Sequence, residues 1–115
     1  MKGGPKFFIF IVSILCSLLF IGISIPLILQ KVPPNKVNGI RIEKAFESDA
    51  LWYQVNQYGG WAMVVAGSIL LIATCCLYLF GKKLNSGTFT GIFVAILLVC
   101  LFTASGITAW YAEKI

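Results

Sequence analysis

The apolar positions of this chain gather into three long uncharged runs instead of recurring along one face of a helix or a strand. Residues 7–29 read FFIFIVSILCSLLFIGISIPLIL, residues 61–80 WAMVVAGSILLIATCCLYLF, and residues 88–111 TFTGIFVAILLVCLFTASGITAWY. Each run reaches the ~20 residues a helix needs to cross the hydrocarbon core of a bilayer. Each is also apolar on every side, as a helix surrounded by lipid must be. The pattern predicts an all-α integral membrane protein, a single membrane domain over residues 1–115 with three transmembrane helices. The stretch GKKLNSG at 81–87 joins the second and third as an antiparallel hairpin. Pro26, in the last turns of the first run, predicts a kink or an end there. A signal peptide is the rival reading of that run, since Lys2 and Lys6 precede it. Its apolar part exceeds the 7–15 residues of a signal core, and no small-x-small cleavage site follows before Lys31, so a retained helix is expected.

Between the first two runs, residues 30–60 follow a different pattern. Lys31-Val32-Pro33-Pro34-Asn35-Lys36 is expected to be extended or turn-like, because each proline fixes its own backbone and restrains its predecessor. Asn38-Gly39 signals a tight turn. Ser48 predicts a helix N-cap with Asp49 in the first turn. Leu51, Val55 and Tyr58 then recur at i, i+4 and i+7, with Trp52 beside them and Gln54 and Gln57 on the other side. This predicts a short amphipathic helix lying in the membrane interface or against the bundle. Trp52, Tyr53, Tyr58 and Trp61 are expected at headgroup depth. Gly59-Gly60 is expected to turn the chain sharply into the second span.

Composition supports a membrane setting. Hydrophobic residues make up 59% and charged residues 11% of the 115. A soluble domain carries about 25% charged residues, so these charges are too few to coat a water-facing surface. The net charge of +5 would suit nucleic acid, but its cations stand at the ends of apolar runs and act as interface anchors. Lys2, Lys6, Lys82 and Lys83 fall on one side of the membrane. Lys31, Lys36, Arg41, Lys44 and Lys114 fall on the other, with all 4 acidic residues. The counts nearly tie, while density in short segments favours a cytoplasmic N-terminus. Cys16, Cys75, Cys76 and Cys100 lie inside spans as small apolar residues and form no disulfide framework. The chain has no histidine, and neither a metal nor a cofactor is expected.

Small residues mark expected helix contacts: Gly87, Gly91 and Ala95 in the third span, Ala62 and Ala66 in the second, and the patch Ala104, Ser105, Gly106 and Thr108. Such rows let backbones approach where the hydrophobic effect offers nothing. They serve contacts within one chain or within a homo-oligomer equally well.

The segment Pro34-Asn35 … Gly39-Ile40-Arg41 … Ser48 … Trp52 … Asn56-Gln57-Tyr58-Gly59-Gly60 resembles the signature of the SdpI family, bacterial membrane proteins named for immunity to a secreted, membrane-killing peptide toxin. In that family a loop between two membrane helices carries a proline/asparagine turn and a Gly-aliphatic-Arg triplet. A serine-capped helix with a tryptophan follows, and an Asn/His-x-aromatic-Gly-Gly close. Ile42 and Glu43-Lys44-Ala45-Phe46 stand where members often carry a threonine and a proline or tryptophan. The resemblance implies a multi-pass protein of the bacterial cytoplasmic membrane. It also implies an immunity-type role, binding a peptide toxin or a membrane-protein partner through residues 30–60.

Arg41 is the foremost candidate for that contact, because a guanidinium offers five fixed donors to carboxylate, phosphate or carbonyl groups. The same geometry would serve an internal pair with Glu43, Glu47 or Asp49. Trp52 and Asn56 would complete a binding face, with Asn35 beside it. Asn35 and Asn56 also suit loop backbone groups. Pro34, Gly39, Gly59 and Gly60 shape the loop. Two other classes of function compete with this reading. A small oligomeric transporter or lipid-handling protein is the alternative, although no span holds the ionisable side chains that mark ion pathways. Catalysis would fall to Ser48 with Glu43, Glu47 and Asp49, but without a nucleophile–base pair the chain is expected not to be an enzyme.

Overall fold

The computed structural model describes residues 4–35 and 39–115. The expectations for Lys2, Lys36 and Asn38 lie outside the described residues. The described chain is helical and contains no strand. Its helices are α1 (Gly4–Ile28), a 3₁₀ helix (Glu43–Phe46), α2 (Asp49–Phe80) and α3 (Ser86–Lys114). All three α-helices are long and apolar enough to cross a membrane. Their outer faces carry Phe8, Leu15, Leu19, Phe80, Val99 and Phe102, each 60–85% exposed. Only a hydrocarbon surround makes that arrangement favourable.

The expected separate amphipathic helix is absent. Ser48 does cap a helix, its Oγ accepting from Leu51 N–H at 3.1 Å, but that helix runs on without a break from Asp49 to Phe80. Gly59 and Gly60 do not turn the chain. Both are buried inside the helix, where a missing side chain gives close approach instead of a bend. At 1.5 Å per residue α2 is about 48 Å long, against a core of ~30 Å. The uncharged run 61–80 is long enough to fill that core, which leaves residues 49–60 beyond it.

The centre of the bundle is the antiparallel contact of α1 with α2, and α3 packs on the other side of α2. Small residues make the α1–α2 seam. Ser17 and Ser24 of α1 are buried, as are Gly60 and Gly67 of α2. A Cβ on Gly67 would lie 2.9 Å from Ile21 Cγ1 and 3.3 Å from the Ser17 carbonyl oxygen. The serines need no partner helix, since Ser13, Ser17 and Ser24 each donate to a carbonyl four residues back, at 2.7, 3.0 and 2.6 Å. One heptad beyond Gly67, the buried Thr74 Oγ1 has no hydrogen-bond partner.

Both ends of the seam are tied. Lys6 Nζ donates to the Gly81 carbonyl at 2.6 Å, placing a cation at the negative end of α2. Around it Phe10 stacks on Tyr78 at 4.1 Å, and Phe89 meets Tyr78 edge-on. At the other end, Pro26 is tolerated inside α1, which ends two residues later. Lys31 N–H bonds to Pro26 O and Gln30 N–H to Leu27 O, with Gln30 in the left-handed region at φ 59°. This is a Schellman stop with glutamine where glycine is usual. Gln57 Nε2 then donates to the Ile28 carbonyl at 2.9 Å.

The small-residue rows of α3 divide. Ala104 and Thr108 are buried. Gly87 and Gly91 face outward, with nothing within 4 Å of a Cβ placed on Gly91. Asn85 caps α3, its Oδ1 accepting from Thr88 N–H at 2.7 Å.

Candidate functional site

Residues 30–35 and 39–60 and the end of α3 fold into a cap at one end of the three-helix bundle. Its core is Ala45, Trp52, Val55 and Ala112, with Val32, Ile40, Ile42, Tyr53 and Ile115 packed around it. Of the amphipathic pattern Leu51, Val55 and Tyr58, Val55 is spent in this core, while Leu51 and Tyr58 are half-buried. Each fully buried large apolar side chain contributes roughly 1.5–3 kcal/mol, so this small core is enough to hold a loop down.

Trp52 is 0% exposed, so its ring packs inside the cap and presents no surface to a headgroup. Its indole N–H donates to the Val32 carbonyl at 2.8 Å, and Phe46 tilts against its ring at 5.4 Å. Asn56 sits one turn on and is 1% exposed. Its Oδ1 accepts from Ile40 N–H at 2.5 Å, and its Nδ2 donates to the carbonyls of Ile40 at 3.2 Å and Trp52 at 2.9 Å. The side chain thus offers Ile40 both an acceptor and a donor, as a neighbouring strand would. Gly59, a further turn along, receives the Ile40 side chain in the space its own would fill.

Trp52, Asn56 and Gly59 stand at i, i+4 and i+7, one face of α2, and together they grip Gly39-Ile40. Gly39 has φ +105°, which strongly favours glycine. Space makes the same demand, since a Cβ there would lie 2.9 Å from both Asn56 Oδ1 and Trp52 Cζ2. With Ile40 held inward, the next residue, Arg41, is exposed. It borders a concavity of about 560 Å³ lined also by Gly39, Ile42 and Phe46.

The structure thus separates the candidate residues. Arg41 is at the surface, while Trp52 and Asn56 are interior residues whose polar groups are bonded within the chain. Asn35 makes a local turn, its Nδ2 donating to the Pro33 carbonyl at 2.7 Å, and Pro34 lies in the same segment. The acidic residues Glu43, Glu47 and Asp49 are exposed. Glu47 approaches Lys44 at 3.9 Å, an exposed i,i+3 pair of the kind worth well under 1 kcal/mol. Gln54 and Gln57 were read from the sequence only as a polar face. Gln57 caps α1, and Gln54 Nε2 donates to Tyr111 Oη at 2.9 Å, beside a Tyr58–Tyr111 ring stack at 4.0 Å. Nothing in the sequence set either apart from a solvated glutamine.

The grip of Trp52, Asn56 and Gly59 on Gly39-Ile40 gives a physical reason for the spacing between the glycine and the helix positions of this segment. Neither a curated protein nor a solved structure matches the chain. A family model, that of the SdpI/YfhL protein family, matches residues 31–107, taking in the cap, α2 and most of α3. On that match over more than half its length, the chain belongs to the SdpI/YfhL protein family.

Proposed function

We propose that this chain is a recognition protein of the bacterial cytoplasmic membrane, whose cap binds a membrane-active peptide toxin or the exposed part of a membrane-protein partner. The observation that carries this reading is the Arg41 concavity, displayed on a loop that Asn56 and Trp52 hold in one conformation. A guanidinium supplies donors to a carboxylate or to peptide carbonyls. Phe46, 49% exposed, supplies an apolar wall beside it. A rigid display lowers the ordering cost of binding. In this reading Trp52, Asn56, Gly39 and Gly59 position the site and Arg41 touches the partner.

The reading makes the protein a binder and not an enzyme. The Ser48 hydroxyl is engaged as the cap of α2, and the nearby carboxylates are solvated helix-start charges. It also takes the side bearing Lys6, Lys82 and Lys83 as cytoplasmic, from the density of positive charge in short segments, so that the cap faces a secreted peptide.

The test is recovery of partners from native-lipid nanodiscs by crosslinking, with Arg41→Ala beside the wild type. Recovery should fall at least tenfold while helix content and insertion stay unchanged. Trp52→Ala should lose the partner as well, but with residues 39–46 opened to solvent. Equal recovery by wild type, Arg41→Ala and Arg41→Glu would sink the proposal.

A further inference from the structure

Between α2 and α3, on the loop side of the bundle, runs an apolar groove of about 450 Å³. Tyr58, Ala66 and Ile69 line it from one helix, and Val99, Thr103 and Ile107 from the other. It extends from Tyr58 to Ile69, eleven residues along α2 or about 16 Å at 1.5 Å per residue. That is half of the ~30 Å hydrocarbon core, the depth of one leaflet. Trp61, where the uncharged run begins, stands one turn below the groove's upper end. Its lower end lies near the midplane.

Dimensions bear on what fills it. Spread over that length, 450 Å³ makes an open furrow wide enough to seat one extended hydrocarbon chain, and its lining is almost wholly apolar. The groove opens at the depth of lipid tails, so its occupant is drawn from the bilayer.

A charge stands on the same line. Val99, Thr103, Ile107, Trp110 and Lys114 recur at spacings of 4, 4, 3 and 4, which keeps them on one face of α3. Lys114 is thus on the groove's face, seven residues or roughly 10 Å beyond Ile107, with its Nζ 5.6 Å from the Trp110 ring. Long basic side chains at helix ends reach toward headgroups in this way. The acidic residue beside it, Glu113, lies about 100° round the helix.

We infer that the groove is a binding site for one phospholipid of the loop-side leaflet, with an acyl chain lying between α2 and α3 and its phosphate at Lys114. An anionic headgroup is preferred, because Lys114 supplies a full positive charge where the lipid carries its own negative one. The site is independent of the recognition role proposed for the cap.

The experiment is native mass spectrometry of the full chain released from nanodiscs of phosphatidylglycerol and phosphatidylcholine in equal parts. One phosphatidylglycerol per chain should survive mild activation. Ala66→Phe, which fills the groove, should lower that adduct at least tenfold. Val99→Trp tests the same point from the outer lip of α3, where the native side chain is 65% exposed and a larger one leaves the fold intact. Lys114→Gln should keep a lipid but lose the preference between headgroups. The inference is overturned if the wild type retains no phospholipid, if both groove variants retain it as the wild type does, or if the released species is a lipid-free dimer.

Discussion

Replacing Asn56 by alanine removes the acceptor for Ile40 N–H and a donor to Ile40 O in one step. A buried backbone group left without a partner costs roughly 1–3 kcal/mol. Ile40 is only half-buried, so water relieves part of that, and the two groups together are expected to cost ~2–4 kcal/mol. The loss falls on the docking of the loop and not on the spans, which hold themselves together along the α1–α2 seam. At about 1.4 kcal/mol per factor of ten, local opening of residues 39–46 should become roughly 30- to 1,000-fold more frequent. Hydrogen exchange of the protein in nanodiscs reads this directly. Amides of 39–46 should exchange faster by that factor in Asn56→Ala, while those of α1 and of residues 88–108 in α3 keep wild-type rates. Asn56→Asp should not rescue, since it keeps an acceptor but turns a carboxylate toward the Ile40 and Trp52 carbonyls. A change of less than about threefold at 39–46 would refute the clamp.

Four further substitutions probe the helices. Gly67→Leu should destabilise the fold by ~3 kcal/mol or more in a denaturant or steric-trapping titration, because the added side chain meets the Ser17 carbonyl and Ile21; Gly91→Leu, on an open face, should fall within about 0.5 kcal/mol of wild type. Thr74→Val keeps the shape and deletes a buried hydroxyl that bonds to nothing, so the same titration should show a gain of ~1 kcal/mol; a loss would mean that the hydroxyl has a partner in the bilayer. Gln30→Gly relieves a left-handed residue and should stabilise the end of α1 by ~1 kcal/mol, read as slower exchange of the Lys31 amide.

The spans were legible because an uncharged run of some twenty residues has few other uses, and Ser48 was legible because its oxygen precedes a helical pattern. The continuity of α2 was not. Two adjacent glycines read as a break when a helix is considered alone, and only the neighbouring Ile40, Ser24 and Leu27 explain why side chains are missing there. The α1–α2 seam went unread for a related reason. Ser17 and Ser24 are seven residues apart, as are Gly60 and Gly67, but the match appears only when two antiparallel sequences are laid side by side. Trp52 and Asn56 read as a binding face in sequence because polar and aromatic residues near a membrane surface usually face it. A short loop gave no sign of having a core of its own, and that core draws on Ala112 and Ile115 from the far end of the chain.

The self-bonded serines of α1 bear on how the protein is made. During synthesis α1 leaves the ribosome before α2 and must wait in the bilayer as a lone helix. Ser13, Ser17 and Ser24 would be a liability in that interval if their hydroxyls needed a partner chain. Each is already satisfied by its own helix, so α1 is at ease in lipid without company. When α2 arrives it presents Gly60 and Gly67, which have no side chains to rearrange. The nascent pair can therefore meet by fit alone, with no bond to break first, and the order of translation becomes an order of assembly.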